Sequence, residues 1–107
     1  MAARVIYSTW PDTAAAGACA RDLVERRVAA CVTILPGARS VYRWAGSIQQ
    51  DSELVMLAKT DDVHADAARD AILAAHPHDV PCVLCLPVDA AGSNPAFLQW
   101  AAAETGG

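Results

Sequence analysis

The sequence predicts an α+β fold, on three observations. Four runs rich in β-branched, aromatic and aliphatic residues are interspersed with three stretches of helical apolar spacing. The order along the chain is strand, helix, strand, strand, helix, strand, helix. Its first six elements are those of the ferredoxin-like βαββαβ sandwich, an antiparallel sheet with two helices on one face. The third observation is a central hairpin too long for a body of this size. A helix at the C-terminus is extra to the pattern.

Taken in order, RVIYSTW (4–10) reads as the first strand. Pro11-Asp12 opens a helix with Asp12 as N-cap, running to about Arg27 and burying Ala16, Cys19, Ala20, Leu23 and Val24. AACVTILP (29–36) is the second strand. Pro36-Gly37 breaks it, yet the pattern resumes in RSVYRW (39–44), so a bulge is expected rather than a stop. AGSIQQ makes the reversal and DSELVMLAKT (51–60) is the third strand. Asp61-Asp62 opens a second helix that halts at Pro77. VPCVLCLPV (80–88) is the fourth strand, and PAFLQWAAAE (95–104) is the last helix, with Pro95 in its first turn.

The 107 residues fit one domain spanning 1–107. A content of 54% hydrophobic residues exceeds what a lone small domain needs, so apolar surface is expected to be buried against another copy. The hairpin makes the same point. From Cys31 to Trp44 an extended strand reaches roughly 45 Å at about 3.3 Å per residue. The ribbon carrying Val41, Tyr42, Trp44, Ile48, Leu54 and Met56 must therefore overhang its own helices, and pairing with another subunit removes that exposed edge.

A net charge of −4 with scattered basic residues offers no stripe for phosphates, which argues against nucleic acid. No apolar run reaches the roughly 18 residues of a membrane span. The N-terminus lacks the apolar core of a signal peptide, so the cytoplasm is the expected location. There the four cysteines are expected as free thiols. Cys82 and Cys85 lie in an apolar strand-like run and read as core packing. Cys31, in mid-strand, reads as buried. No G-x-S-x-G, phosphate-cradling glycine loop or H-E-x-x-H is present, so no enzyme is expected.

Several motifs occur in order at compatible spacings: Thr9-Trp10-Pro11, Ala29-Ala30-Cys31-Val32, Ser40-Val41-Tyr42-Arg43-Trp44 with Gly46, then Glu53 and Lys59-Thr60. His76-Pro77, Pro81, Leu86-Pro87-Val88 and Phe97-Leu98-x-Trp100 follow. Together they resemble the CutA divalent-cation tolerance family over nearly the whole chain. The resemblance implies a homotrimer with the architecture of the PII signalling proteins. It also implies a role in response to divalent metals, copper(II) binding in some members, and no organic cofactor. Members credited with copper binding carry cysteine at the position of Ser8 and a second histidine at that of Ala75. Tyrosine is usual where His78 stands here.

The candidate metal ligands are His76 and His78, since imidazole is a strong ligand for copper(II). The other reading of His76 is a cap on helix carbonyls or a lining of the cleft. Lys59 is the chain's one lysine against seven arginines. A compact ammonium fits pockets that reject a guanidinium, so Lys59 is read as held at a subunit junction, in an ion pair or on an anionic ligand. Glu53 shares its strand face, about 20 Å away at six residues' separation. Tyr42 and Trp44 share a face as interface anchors or as walls of a ligand cleft with Lys59 and Glu53. His64 reads as solvated. Three functions follow: a metal-tolerance trimer, a PII-like sensor of a small anionic ligand, and a trimeric scaffold that anchors another protein.

Overall fold

The computed structural model describes residues 2–106. Its elements are β1 (Ala3–Trp10), α1 (Thr13–Glu25), β2 (Cys31–Trp44), β3 (Ser47–Asp61), α2 (Ala65–Ala75), β4 (Val83–Pro87) and α3 (Pro95–Glu104). The sheet has the order β2-β3-β1-β4, and its neighbouring strands pair antiparallel. This is the expected βαββαβ sandwich with its additional helix.

Local chemistry sets the boundaries. The Asp12 carboxylate accepts from the Ala15 amide at 2.7 Å and caps α1. At the other end Val28 N donates to Leu23 O and Arg27 N to Val24 O, a Schellman closure. Arg27 occupies its left-handed position at φ 58. Helix α1 therefore ends two residues short of the expected Arg27. Val24, expected inside, is exposed.

The expected bulge is present. Between Leu35 and Ala38 the register of β2 shifts by one residue against β3, with Gly37 at φ 83. The reversal is tighter than expected. Ala45 and Gly46 alone make it, at φ 52 and 83, and Trp44 faces Ser47, so SIQQ belongs to β3. Asp61 closes β3 opposite Ala3 instead of opening a helix. Its carboxylate accepts from the Val63 and His64 amides, and α2 starts only at Ala65.

One sheet face carries the core. Ile6, Trp10, Met56, Ala58, Ala16, Leu23, Ala68 and Ile72 are buried between sheet and helices. Along β3 burial alternates from Leu54 to Thr60, with the even residues inside. The opposite face bears Val5, Tyr7, Val55, Leu57, Thr33 and Leu35: Tyr7, Leu57 and Thr33 lie in register, as do Val55 and Leu35, and Val5 stands opposite Lys59. Leu84 and Leu86 join it opposite Tyr7 and Val5. Among the described residues no helix covers this face. Residues 41 to 50 are all exposed, and the hairpin stretches the molecule to 44 Å along its longest axis.

Two burial expectations are corrected. Cys82 and Cys85 are exposed, because β4 is an edge strand that starts at Val83 and whose remaining residues are open to solvent. Cys31 is half-buried, since its side chain projects onto the uncovered face.

Candidate functional site

An open cleft of about 1090 Å³ lies between the hairpin and the segment 76–82. Strand β2 contributes Tyr42 and Trp44, and β3 contributes Asp51 and Glu53. Strand β1 contributes Tyr7 and Thr9, while His76, His78, Asp79 and Cys82 close the far side. Tyr42, Trp44 and Glu53 share the face turned away from the helices, because the bulge preserves one alternation across the hairpin.

The Tyr42 hydroxyl donates to Asp51 Oδ2, diagonally across the hairpin. That bond, helped by the Glu53 charge nearby, holds the phenol above its ordinary pKa. The cleft wall holds three carboxylates and no lysine or arginine. An anion entering it meets charge of its own sign.

His76 forms the floor. It is 8% exposed, and its ring packs on Trp10 with centroids 4.4 Å apart. Nε2 donates to the Thr9 carbonyl at 2.7 Å, and Nδ1 accepts from the His78 amide at 3.1 Å. The helix ends one residue earlier because Pro77 supplies no amide hydrogen and biases His76 towards extended backbone. Beneath it the Trp10 indole donates to the Ser8 hydroxyl at 2.8 Å, both residues being fully buried. The hydroxyl at the position where the resemblance expects a thiolate is thus bound into the core.

These residues do not fit a metal site within one protomer. Both ring nitrogens of His76 are spent, Ser8 is occupied, and only His78 offers an open imidazole. Among the described residues no three His, Cys, Asp or Glu side chains are placed to enclose a metal ion.

Lys59 is not part of this cleft. Its ammonium donates to Thr33 Oγ1 and lies 3.8 Å from Cys31 Sγ, the residue directly opposite on β2. The six-residue separation from Glu53 keeps the two apart on the same strand. So the structure groups Tyr42, Trp44 and Glu53 with the histidines and leaves Lys59 farther along the same face, against Thr33 and Cys31. His64, expected in solvent, is instead held by Asp61, with Nδ1 at 2.8 Å from Oδ1. Asp51, Asp79 and Cys82 were not anticipated. Asp51 was within reach of sequence reasoning, since a two-residue turn at Ala45-Gly46 sets Ser40 against Asp51 and brings Tyr42 diagonally to it.

The comparisons with known proteins agree with this architecture. The family described as CutA1 divalent ion tolerance protein matches residues 4–104. The divalent-cation tolerance protein CutA of Pectobacterium atrosepticum is 47% identical over 90% of this chain and 86% of its own length. Its namesake from Thermus thermophilus is 39% identical over 95% of this chain and 97% of its own. Among solved structures, CutA from Xylella fastidiosa superposes with a TM-score of 0.91 at 40% identity, covering 99% of this chain and 100% of that one. CutA1 from Oryza sativa gives 0.92 at 36% identity, covering 99% and 95%. The chain is a member of the CutA1 divalent ion tolerance family.

Proposed function

We propose that this protein acts in divalent-cation tolerance as a non-enzymatic, PII-like homotrimer in the cytoplasm. The observation that carries the reading is the uncovered sheet face. Val5, Tyr7, Val55, Leu57, Leu84 and Leu86 form an apolar layer, with Leu84 and Leu86 still 53% and 44% exposed. A patch of that kind marks a protein interface. Burying it against two further copies also gives the overhanging hairpin a body to lie on. In this reading a divalent cation binds where protomers meet, with His78 and Cys82 as the accessible donors, because the donors within one protomer are insufficient.

Light scattering on the purified protein tests the assembly. Three times the 11.2 kDa chain mass is the expected result, and Leu57→Asp should abolish it. A stable 11.2 kDa species at micromolar concentration would overturn the proposal. Copper(II) titration of the same samples tests the metal: binding that persists in a soluble monomeric variant would remove the subunit junction from it. The location is checked by fractionating the host cell.

A second reading, the sensor of a small anion, keeps one observation in its favour. Lys59 meets only Thr33 and Cys31 and no carboxylate among the described residues, so its charge is free to meet an anion from outside the protomer. Thermal-shift screening with nucleotides and carboxylates tests this against Lys59→Met. Equal stabilisation of both proteins would exclude Lys59 as the contact.

A further inference from the structure

The uncovered face of the sheet carries opposite charges at the two ends of one strand. Along β3, Glu53, Val55, Leu57 and Lys59 alternate onto it. A carboxylate thus stands at one end of an apolar stripe and an ammonium at the other. Among the described residues Lys59 is the one cation that the strands place on this face. Arg4 lies opposite the core-facing Thr60, and Arg39 and Arg43 alternate to the side of the hairpin away from Tyr42.

Neither charge is neutralised within the chain. Both residues are half-buried. The Lys59 ammonium has Thr33 and Cys31 beside it and no carboxylate. Glu53 makes no ion pair among the described residues. Six residues of extended strand, about 20 Å, keep it from its own Lys59. The other carboxylates of the cleft are less suited to an interface: Asp51 already accepts from Tyr42, and both Asp51 and Asp79 are exposed.

Assembly sharpens the problem. In the trimer proposed above this face is covered, and a charge taken out of water is strongly unfavourable unless an opposite charge meets it. Each protomer brings one of each sign. A head-to-tail contact repeated around a closed ring sets one end of the stripe against each neighbour. We infer that Lys59 of each protomer pairs with Glu53 of the partner subunit, so that three identical ion pairs close the trimer. The pairing rests on the trimeric reading. It gives that interface a direction, and it makes the anion that Lys59 meets part of a second copy of this chain.

The unmodified protein tests the contact, because Lys59 is its single lysine. Light scattering comes first: a monomer would end the trimeric reading, and the pairing with it. On the trimer, a water-soluble carbodiimide joins a carboxylate and an amine in contact as an amide and leaves as its urea. Digestion and mass spectrometry should find Lys59 joined to Glu53, a link that about 20 Å of strand forbids within one chain. Lys59 joined to a different carboxylate would overturn the pairing while the trimer stands. Charge reversal gives an independent reading. Glu53→Lys and Lys59→Glu should each raise the concentration at which the trimer dissociates by at least about tenfold, since like charges then face each other. The double reversal restores the pair with its signs exchanged and should recover most of that loss. A folded double variant, checked by circular dichroism, that assembles no better than the worse single one would sink the assignment.

Discussion

The Trp10 indole N–H donates to the hydroxyl of Ser8 two residues earlier on the same strand, at 2.8 Å and wholly out of solvent. Residues at this spacing share a strand face, so the pair stands side by side under helices α1 and α2. Ser8→Ala leaves the indole hydrogen without an acceptor in a closed core. The expected loss is about 1–3 kcal/mol, the usual cost of stranding a buried donor. Urea denaturation monitored by tryptophan fluorescence measures it. A loss near zero would mean that Trp10 finds another acceptor.

His76 is the second layer of the same arrangement. It stacks on Trp10 and joins β1 to the end of α2 through Thr9 O and the His78 amide. His76→Ala removes both hydrogen bonds and opens space against the indole. We expect a destabilisation of about 2–4 kcal/mol, a cavity and an unmatched carbonyl acting together. Copper(II) stoichiometry should be unchanged in the folded variant, because the imidazole has no nitrogen to spare. A folded His76→Ala protein that loses one copper per chain would make His76 a ligand after all.

What could be read from residues alone, and what could not, divides along one physical line. Period and turn chemistry act locally, so the seven elements, the Pro36-Gly37 bulge and the Asp12 cap were all legible. Asp61 was misplaced because an acidic pair before a helical pattern looks like a first turn. Only the pairing of β3 with Ala3 shows that the strand still has a partner there. The exposure of Cys82 and Cys85 depends on β4 lying at the sheet edge, which follows from strand order and not from composition. The candidate cleft was half legible. Shared faces put Tyr42, Trp44 and Glu53 together. Strand rise set Lys59 about 20 Å from Glu53, yet Lys59 was expected in the same cleft, which it does not line within one protomer. That His76 is sealed by Thr9 is a tertiary contact 67 residues apart in sequence.

The hairpin turn offers a stabilising change. Ala45 sits at φ 52, in the left-handed region that alanine adopts reluctantly, and Gly46 follows at φ 83. Two-residue turns of this shape favour Asn-Gly. Ala45→Asn should therefore stabilise the protein by about 0.5–1 kcal/mol, and Gly46→Ala should destabilise it by about 1 kcal/mol or more. Because residues 41 to 50 are exposed in the protomer, the Ala45→Asn gain should appear in hydrogen-exchange protection of the hairpin amides. An unchanged exchange rate there would mean that the ribbon's order comes wholly from assembly.

Cysteine chemistry gives a pH dependence whose sign can be worked out. Cys19 is buried in α1 at 3% exposure, and burial, reinforced by the Asp22 carboxylate, raises its thiol from 9.0 to about 11, while Arg26 pulls weakly the other way. The folded state thus favours the neutral thiol. The contribution is complete below the unfolded pKa of 9.0 and is lost as pH climbs towards about 11. A shift of two units corresponds to at most roughly 2–3 kcal/mol across that window. Other ionisations contribute to the alkaline limb, so the wild type must be compared with Cys19→Ala, whose stability should fall less steeply between pH 9 and 11. Parallel curves would remove Cys19 from the alkaline limb. At neutral pH the same environment should make Cys19 the slowest thiol to alkylate in native protein, with the exposed Cys82 and Cys85 reacting first. Mass spectrometry of briefly treated protein would show two fast labels, and early labelling of Cys19 would mean that α1 opens far more readily than its packing implies.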